Sequence, residues 1–181
     1  MKSILTFLIP VFALAGLLTI STVNVHAQAR GEGVRVSPNA AVSQNIGATV
    51  VDITYGRPGL KGRSLESLAP AGKVWRTGAN ESAVISFSTD VMFGGEMVEA
   101  GNYSLYTIPG ENWTFILNSK LSWGTQYDES ADVLRVAAAI TTTEAPEMEW
   151  FGIYFDTLSE TKAHLNLHWG STLTAIPITV E

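Results

Sequence analysis

Beyond its first 33 residues, the chain alternates apolar and polar residues in short runs, and residues that favour turns separate these runs. In residues 83–88, Ile85 and Phe87 would share one face of a strand, and Val84 and Ser86 the other. Successive side chains of a strand point to opposite faces, so this period of two indicates strands that bury one face. No stretch beyond residue 33 sustains a helical period. The pattern therefore predicts a single all-β domain, a two-sheet β-sandwich with jelly-roll-like connections.

Turn residues mark where the predicted strands end. Gly94 and Gly95 separate two of them, where a tight primed turn requires the positive φ that glycine adopts readily. Pro109 and Gly110 fit the two central positions of a type II turn in a second hairpin. Ser64 would cap one short helical turn. The predicted strands span residues 41–46, 49–55, 83–88, 90–93, 96–98, 102–108, 113–118, 133–141, 149–156, 162–169 and 173–180, and the helical turn spans residues 64–68.

The N-terminus has the composition of a secretory signal peptide. Lys2 precedes an apolar run over residues 4–20, and small residues lie at the positions that a signal peptidase inspects before a cut after Ala27. Pro10 and Gly16 interrupt the run, which disfavours a retained transmembrane anchor, although an uncleaved anchor is the alternative. We therefore expect an exported protein, periplasmic or secreted, with no stable membrane anchor after cleavage.

Three regions follow from this reading: a signal peptide at residues 1–27, a flexible mature N-terminus at residues 28–36, and the β-sandwich domain at residues 37–181. The chain contains no cysteine, which excludes disulfides, thiolate chemistry and lipid attachment at a cysteine. The domain must therefore be stabilised by its own core, and its length is sufficient for that.

Charge and motif content narrow the function. The formal net charge of −6 makes nucleic acid an unsuitable partner. The sequence has neither a phosphate-binding glycine-rich loop nor a nucleophile-elbow serine, and we predict no cofactor. His164 and His168 lie four residues apart, which along a strand separates their Cα atoms by about 13 Å. One ion could not easily be reached by both rings, so no metal site is predicted.

Basic residues concentrate in one segment, residues 55–82, although the chain as a whole is acidic. Glu66 is the only acid between the first and the last of them. Such a cluster on a loop rich in glycine and proline favours a site for an anion or an internal carboxylate. Two long segments, residues 56–81 and 119–132, lack the alternation of strands and are candidate functional loops. The clustered basic residues are Arg57, Lys61, Arg63, Lys73 and Arg76.

Several motifs follow one another through most of the chain. They are Ser37-Pro38, Tyr-Gly-Arg-Pro at residues 55–58, Lys-Gly-Arg at residues 61–63, Trp-Arg-Thr-Gly-Ala-Asn-Glu at residues 75–81, the segment 100–109 and the segment 113–118. In this order they resemble the Domain of Unknown Function 2911 family. The resemblance implies an exported bacterial envelope protein with a β-rich fold and no established activity. It assigns no catalytic residue to this chain.

The arginines of the basic segment are candidates for an anion site. Arg57, Arg63 and Arg76 carry planar guanidinium groups that match the oxygens of carboxylate, sulfate or phosphate. The alternative is structural: these arginines would pair with Glu66, Glu81 or another acid and fix the loop to the sandwich.

Aromatic residues suggest a second ligand feature. Trp75 could form a platform for a sugar or an apolar ligand, with Asn80 and Glu81 bonding to hydroxyl groups beside it. Alternatively, Trp75 belongs to the core, where burial of its ring stabilises the fold. Four further aromatic residues could form a ligand face or stabilise sheet packing: Tyr103, Tyr106, Trp113 and Trp123.

We therefore favour a non-enzymatic binding module for an anionic or polar ligand, such as a glycan. A carbohydrate-active hydrolase is one alternative, because Glu81 with Asp128, Glu129 or Asp132 could supply a pair of catalytic carboxylates. A structural protein–protein interaction module is another. The candidate ligand-binding residues are Arg57, Arg63, Trp75, Arg76, Asn80 and Glu81.

Overall fold

The structure is a computed structural model and describes residues 34–181. The predicted signal peptide and the first part of the predicted flexible N-terminus lie outside these residues. Within them, no helix is long and apolar enough to cross a membrane. The strands are β1 Asn39–Ile46, β2 Thr49–Gly56, β3 Ala83–Phe87, β4 Val91–Phe93, β5 Glu96–Val98, β6 Gly101–Ile108, β7 Thr114–Asn118, β8 Asp132–Ala137, β9 Ile140–Thr142, β10 Met148–Ser159, β11 Lys162–Gly170 and β12 Thr172–Thr179, with one helical turn, α1 Leu65–Leu68, and a 3-10 turn, Glu129–Ala131.

The strands form two antiparallel sheets, which confirms the predicted all-β sandwich. One six-stranded sheet has the order β1-β2-β3-β6-β7-β8, and the other has the order β10-β11-β12-β4-β5, with β9 paired to β12. Most neighbours are also consecutive in the chain, as expected where short turns join antiparallel strands. The chain passes to the second sheet after β3, returns after β5 and passes again after β8.

The strands predicted from the alternation agree with those of the structure, except that one predicted strand corresponds to two. The predicted strand over residues 133–141 is two strands, β8 and β9, which belong to different sheets. Ala138 and Ala139 lie between them. The Ala138 N–H donates to the Trp113 carbonyl at 2.7 Å, and the Ala139 N–H donates to the Ala175 carbonyl at 2.9 Å. These consecutive N–H groups thus donate to different sheets. The alternation of apolar and polar residues does not reveal that the chain changes direction here.

The turn predictions had mixed outcomes. Gly94 and Gly95 have φ of 63° and 94°, which confirms the glycine turn between β4 and β5. The helical turn is confirmed too, since the Ser64 side chain accepts from the Ser67 N–H. The type II turn at Pro109 and Gly110 is wrong, because Gly110 lacks the positive φ that this turn requires. Although β6 still pairs with β7, the longer connection after Ile108 removes the need for a tight two-residue turn.

An aromatic cluster fills the end of the core next to the basic segment. The rings of Trp75 and Trp169 stack with their centroids 5.5 Å apart, and Phe151 contacts both rings. Trp113 contacts Trp75 edge-on at 6.1 Å. Since Trp113 adjoins β7 of one sheet and Trp169 lies on β11 of the other, the cluster ties the two sheets together at this end.

Candidate functional site

Two of the predicted anion-binding arginines hold the loop through backbone carbonyls. Arg57 Nε donates to the Phe151 carbonyl at 2.8 Å. Arg63 Nε and Nη2 donate to the carbonyls of Leu60 and Gly59 at 3.0 and 3.1 Å. Neither arginine pairs with an acid among the described residues. Their bonds fix the chain after β2 to itself and to β10.

Trp75 does not present a ligand platform. Its side chain is 6 % exposed and lies in the aromatic cluster of the core. Its backbone pairs with Thr107 through two hydrogen bonds of 2.7 and 2.9 Å. The core alternative for Trp75 therefore agrees with the structure, and the platform interpretation does not.

Glu81 is buried, with 4 % of its surface exposed, and a cation lies directly against it. Arg35 Nη1 and Nη2 donate to the two carboxylate oxygens of Glu81 at 2.7 and 2.9 Å. This paired geometry raises the pKa of Arg35 through the bond to Glu81. Arg35 was missed by sequence reasoning, because it lies outside the basic segment and 46 residues before its partner.

Arg76 differs from these arginines because the described residues provide neither an acid nor a carbonyl as a partner for its guanidinium. Its side chain is half-buried, and its Nε is a buried donor without a hydrogen-bond acceptor in the part of the chain that the structure describes. Burial lowers the pKa of the Arg76 guanidinium, and the nearby Tyr106 acts in the opposite direction. Burial of a cation without a partner costs free energy, so a structural role alone does not account for this arginine.

Asn80 supplies a second buried donor on the same segment, residues 76–82, which we call the site segment. Its Nδ2 is buried and finds no acceptor among the described residues. The backbone of Asn80 has φ of 66°, and that of Thr77 has φ of 51°. Positive φ is unusual for a β-branched residue such as Thr77, which is fully buried. Strained backbone of this kind clusters at functional sites, where the surrounding structure holds it in place.

A loop from the other candidate segment covers the site segment. Residues 121–126, which we call the covering loop, approach it through an antiparallel backbone bridge between Trp123 and Glu81. A Cβ added at Gly124 would lie 2.9 Å from the Arg76 Cβ and 2.8 Å from the Asn80 carbonyl oxygen. Such separations are too short for real carbon atoms, so only glycine allows the loop this close.

Buried hydroxyl groups hold the covering loop in place. Ser82 Oγ donates to the Ser122 carbonyl at 3.0 Å, and Ser104 Oγ donates to the Lys120 carbonyl at 2.9 Å. Tyr106 and Ser122 share a hydrogen bond of 3.2 Å between their hydroxyls. Because directional bonds from Ser82, just before β3, and from β6 fix the covering loop and the residue before it, the loop is positioned against the site segment even though it has no regular structure.

The acids proposed as catalytic partners of Glu81 form a separate ionic network. Asp132 accepts from Arg135 at 2.7 Å and from the Tyr127 hydroxyl at 2.6 Å. Glu129 pairs with Arg135 at 3.0 Å, and Asp128 pairs with Lys120 at 3.4 Å. Each acid is thus engaged by a cation, whereas the carboxylate of Glu81 binds Arg35. The hydrolase alternative gains no support from this arrangement.

Other candidate features lie elsewhere. His168 Nε2 bonds to the Pro146 carbonyl at 2.9 Å, and residues 34–181 hold no group of three or more potential metal ligands.

An open groove of about 570 Å³ lies near Thr49, at the end of β2 opposite Gly56. Its lining includes Asp90 and Glu181 and no basic residue, so it does not suit an anion.

Comparison with known proteins adds one match. The sequence model of a family described as "Protein of unknown function (DUF2911)" matches residues 37–178. This match confirms the resemblance drawn from the motifs. No curated protein and no solved structure matches the chain.

Proposed function

We propose that this chain, which belongs to the DUF2911 family, binds a small anionic ligand through Arg76 and Asn80. One observation carries the proposal: the site segment buries two hydrogen-bond donors, Arg76 Nε and Asn80 Nδ2, that have no acceptor within residues 34–181. Buried polar groups are almost always paired in native proteins, and an unpaired one calls for an explanation. We infer that an external ligand supplies acceptor oxygens to this segment.

Charge favours an anion as that ligand. Among the described residues, Arg76 makes no ion pair, whereas Arg35 is matched by Glu81. A carboxylate, sulfate or phosphate would neutralise the guanidinium and accept two directional bonds from it. Partial burial strengthens such a bond, since the surroundings screen charges less than water does.

The remaining parts of the site support a binding role. Thr77 holds strained backbone, and the covering loop is fixed by hydroxyl groups, so the donors are positioned before a ligand arrives. Preorganisation of this kind lowers the entropic cost of binding. The location that we propose remains the exported one, periplasmic or secreted, where small acids and glycans are potential ligands.

Titration calorimetry with sulfate, phosphate and acetate tests the proposal. We expect at least one of these anions to bind the purified protein, and the Arg76→Met variant to lose that binding. Arg63→Ala is the matched control, because it removes the same charge from the neighbouring loop and should leave the affinity unchanged. Anion at about 100 times its dissociation constant should also add about 2.7 kcal/mol to the free energy of unfolding.

The proposal fails if no anion binds at moderate ionic strength, or if Arg76→Met and Arg63→Ala weaken binding equally. The second outcome would show a general attraction to positive charge rather than a site at Arg76. A folded Arg76→Met variant, verified by circular dichroism, is required for either comparison.

A further inference from the structure

We propose that the anion at Arg76 belongs to an acidic sugar, whose carboxylate binds Arg76 and whose ring stacks on Trp123. This inference rests on the proposed function and names its ligand class. It replaces Trp75 with Trp123 as the aromatic platform.

Trp123 is exposed where the other aromatic candidates are buried. Its exposed fraction is 49 %, whereas Tyr103, Tyr106 and Trp113 lie in the core. Exposure of so large an apolar surface has a cost in water, and such residues often mark binding surfaces. Trp150 is also exposed, at 37 %, but the Lys61 ammonium lies over its ring at 5.6 Å.

The Trp123 backbone is held next to the anion site. Its bridge to Glu81 is antiparallel, so the side chains of these two residues lie on the same side of the ladder. Gly124 contacts Arg76, and consecutive Cα atoms are about 3.8 Å apart, which places the Trp123 Cα within about 8 Å of the Arg76 Cβ. The backbones of the two residues are thus close enough for the inferred ligand to lie between Trp123 and Arg76.

The side chains around Trp123 favour a sugar as the ring that stacks on it. The C–H groups on one face of a pyranose form a flat apolar surface that suits the electron-rich face of an indole. Its hydroxyl groups need hydrogen-bonding partners, and Asn80 and the exposed Thr125 and Gln126 supply amide and hydroxyl groups near Trp123. A carboxylate on the same ring would match the planar guanidinium of Arg76.

Calorimetric titrations with four probes separate the contributions of ring and charge. Galacturonate has both the sugar ring and the carboxylate, galactose lacks the carboxylate, acetate lacks the ring, and benzoate replaces the sugar with an aromatic ring. We expect galacturonate to bind at least about tenfold more tightly than acetate and galactose. Trp123→Ala should remove this advantage while leaving acetate binding unchanged, and Trp150→Ala should alter neither affinity.

The outcomes distinguish this inference from the proposed function. Equal affinity for galacturonate and acetate, or an advantage that survives in Trp123→Ala, would overturn the sugar assignment and leave the anion site intact. The sugar assignment would also be overturned if Trp123→Ala weakened the binding of benzoate but not that of galacturonate. If acetate, sulfate, phosphate and galacturonate all fail to bind, the anion site itself is wrong. Trp123→Phe keeps an aromatic face and should retain part of the advantage, which controls for a disturbed loop.

Discussion

Under the proposed function, Arg76 combines a cost to stability with a role in binding. Arg57 and Arg63 donate to backbone carbonyls, and Arg35 binds Glu81, so each has a structural role. Arg76 has a buried Nε without an acceptor and a guanidinium whose pKa burial lowers. A residue that destabilises the free protein is retained most readily where it serves a ligand.

Replacing Arg76 should therefore stabilise the free protein. In Arg76→Met, a side chain of similar length keeps the apolar contacts and removes the unpaired donor and its charge. We expect the free energy of unfolding to rise by about 0.5–1 kcal/mol, a modest value because the group is partly solvated. Urea denaturation without anions measures this change.

Arg57→Met is the control for that measurement. It removes the bond to the Phe151 carbonyl and should lower the free energy of unfolding by about 1–2 kcal/mol. A comparable loss in Arg76→Met would contradict our interpretation and assign Arg76 a structural role.

At this scale, the sequence pointed to the segment that carries the proposed site but not to its neighbours. The basic pattern and the motif at residues 75–81 pointed to Arg76, Asn80 and Glu81. Nothing in the sequence distinguishes an arginine that binds a carbonyl from one that binds a carboxylate, so Arg57 and Arg63 were grouped with Arg76. Long-range pairing brings Arg35 to Glu81, and alternation carries no information about such contacts.

The covering loop is an element without regular secondary structure whose position depends on side chains. Its lack of alternation marked it as a candidate functional loop, and the hydroxyls of Ser82, Ser104 and Tyr106 explain how it is held. Those three residues lie on or beside predicted strands, where the serines resemble ordinary polar positions and Tyr106 was considered only as part of a ligand face or of sheet packing. The loop's contact with the site segment could therefore not be predicted from sequence.

Gly124→Ala should displace this loop. The added methyl group would overlap the Asn80 carbonyl and the Arg76 side chain, and the backbone carbonyl cannot rotate away as a side chain can. We expect the free energy of unfolding to fall by about 1–3 kcal/mol and anion affinity to change with it. Chemical denaturation and calorimetry measure the two effects.

Gly110→Ala provides the comparison. Gly110 also has no positive φ, and a Cβ there would meet its nearest neighbour, the Asn112 carbonyl oxygen, at an ordinary 3.5 Å. Its stability should stay within about 0.5 kcal/mol of the parent protein. If Gly124→Ala is equally mild, the covering loop is not packed against Arg76 in solution.

At the scale of the whole molecule, local pattern sufficed for the fold class but not for the arrangement of strands. Alternation and turn residues predicted a sandwich because each strand must bury one face. The assignment of β4, β5 and β9 to the second sheet depends on pairing between strands distant in sequence. The chain changes sheets at Ala138 and Ala139. This turn contains neither glycine nor proline, so the sequence carries no turn signal there.

Global stability should decline at alkaline pH, and Tyr127 provides the clearest contribution. Burial, and then its hydrogen bond to Asp132, raise the pKa of Tyr127 to about 12. Burial also raises the pKa of Tyr103 and of Tyr154. An unfolded tyrosine loses its proton near pH 10. Between about pH 10 and 12 the unfolded state thus binds fewer protons than the native state, and stability falls as pH rises.

The contribution of Tyr127 is therefore fully present below about pH 10 and lost as pH rises through about 12. Urea denaturation of the parent protein and Tyr127→Phe at a series of alkaline pH values isolates it. At about pH 8 the variant should be less stable by about 1 kcal/mol, because it lacks the bond to Asp132 at a partly solvated site. This difference in the free energy of unfolding should shrink as pH rises above 10, because the parent protein then loses the stability that the protonated Tyr127 contributes. A difference that stays constant over that interval would show that burial and the bond to Asp132 do not raise the pKa of Tyr127. The tyrosinate absorbance that Tyr127→Phe removes would then appear near pH 10, the ordinary range.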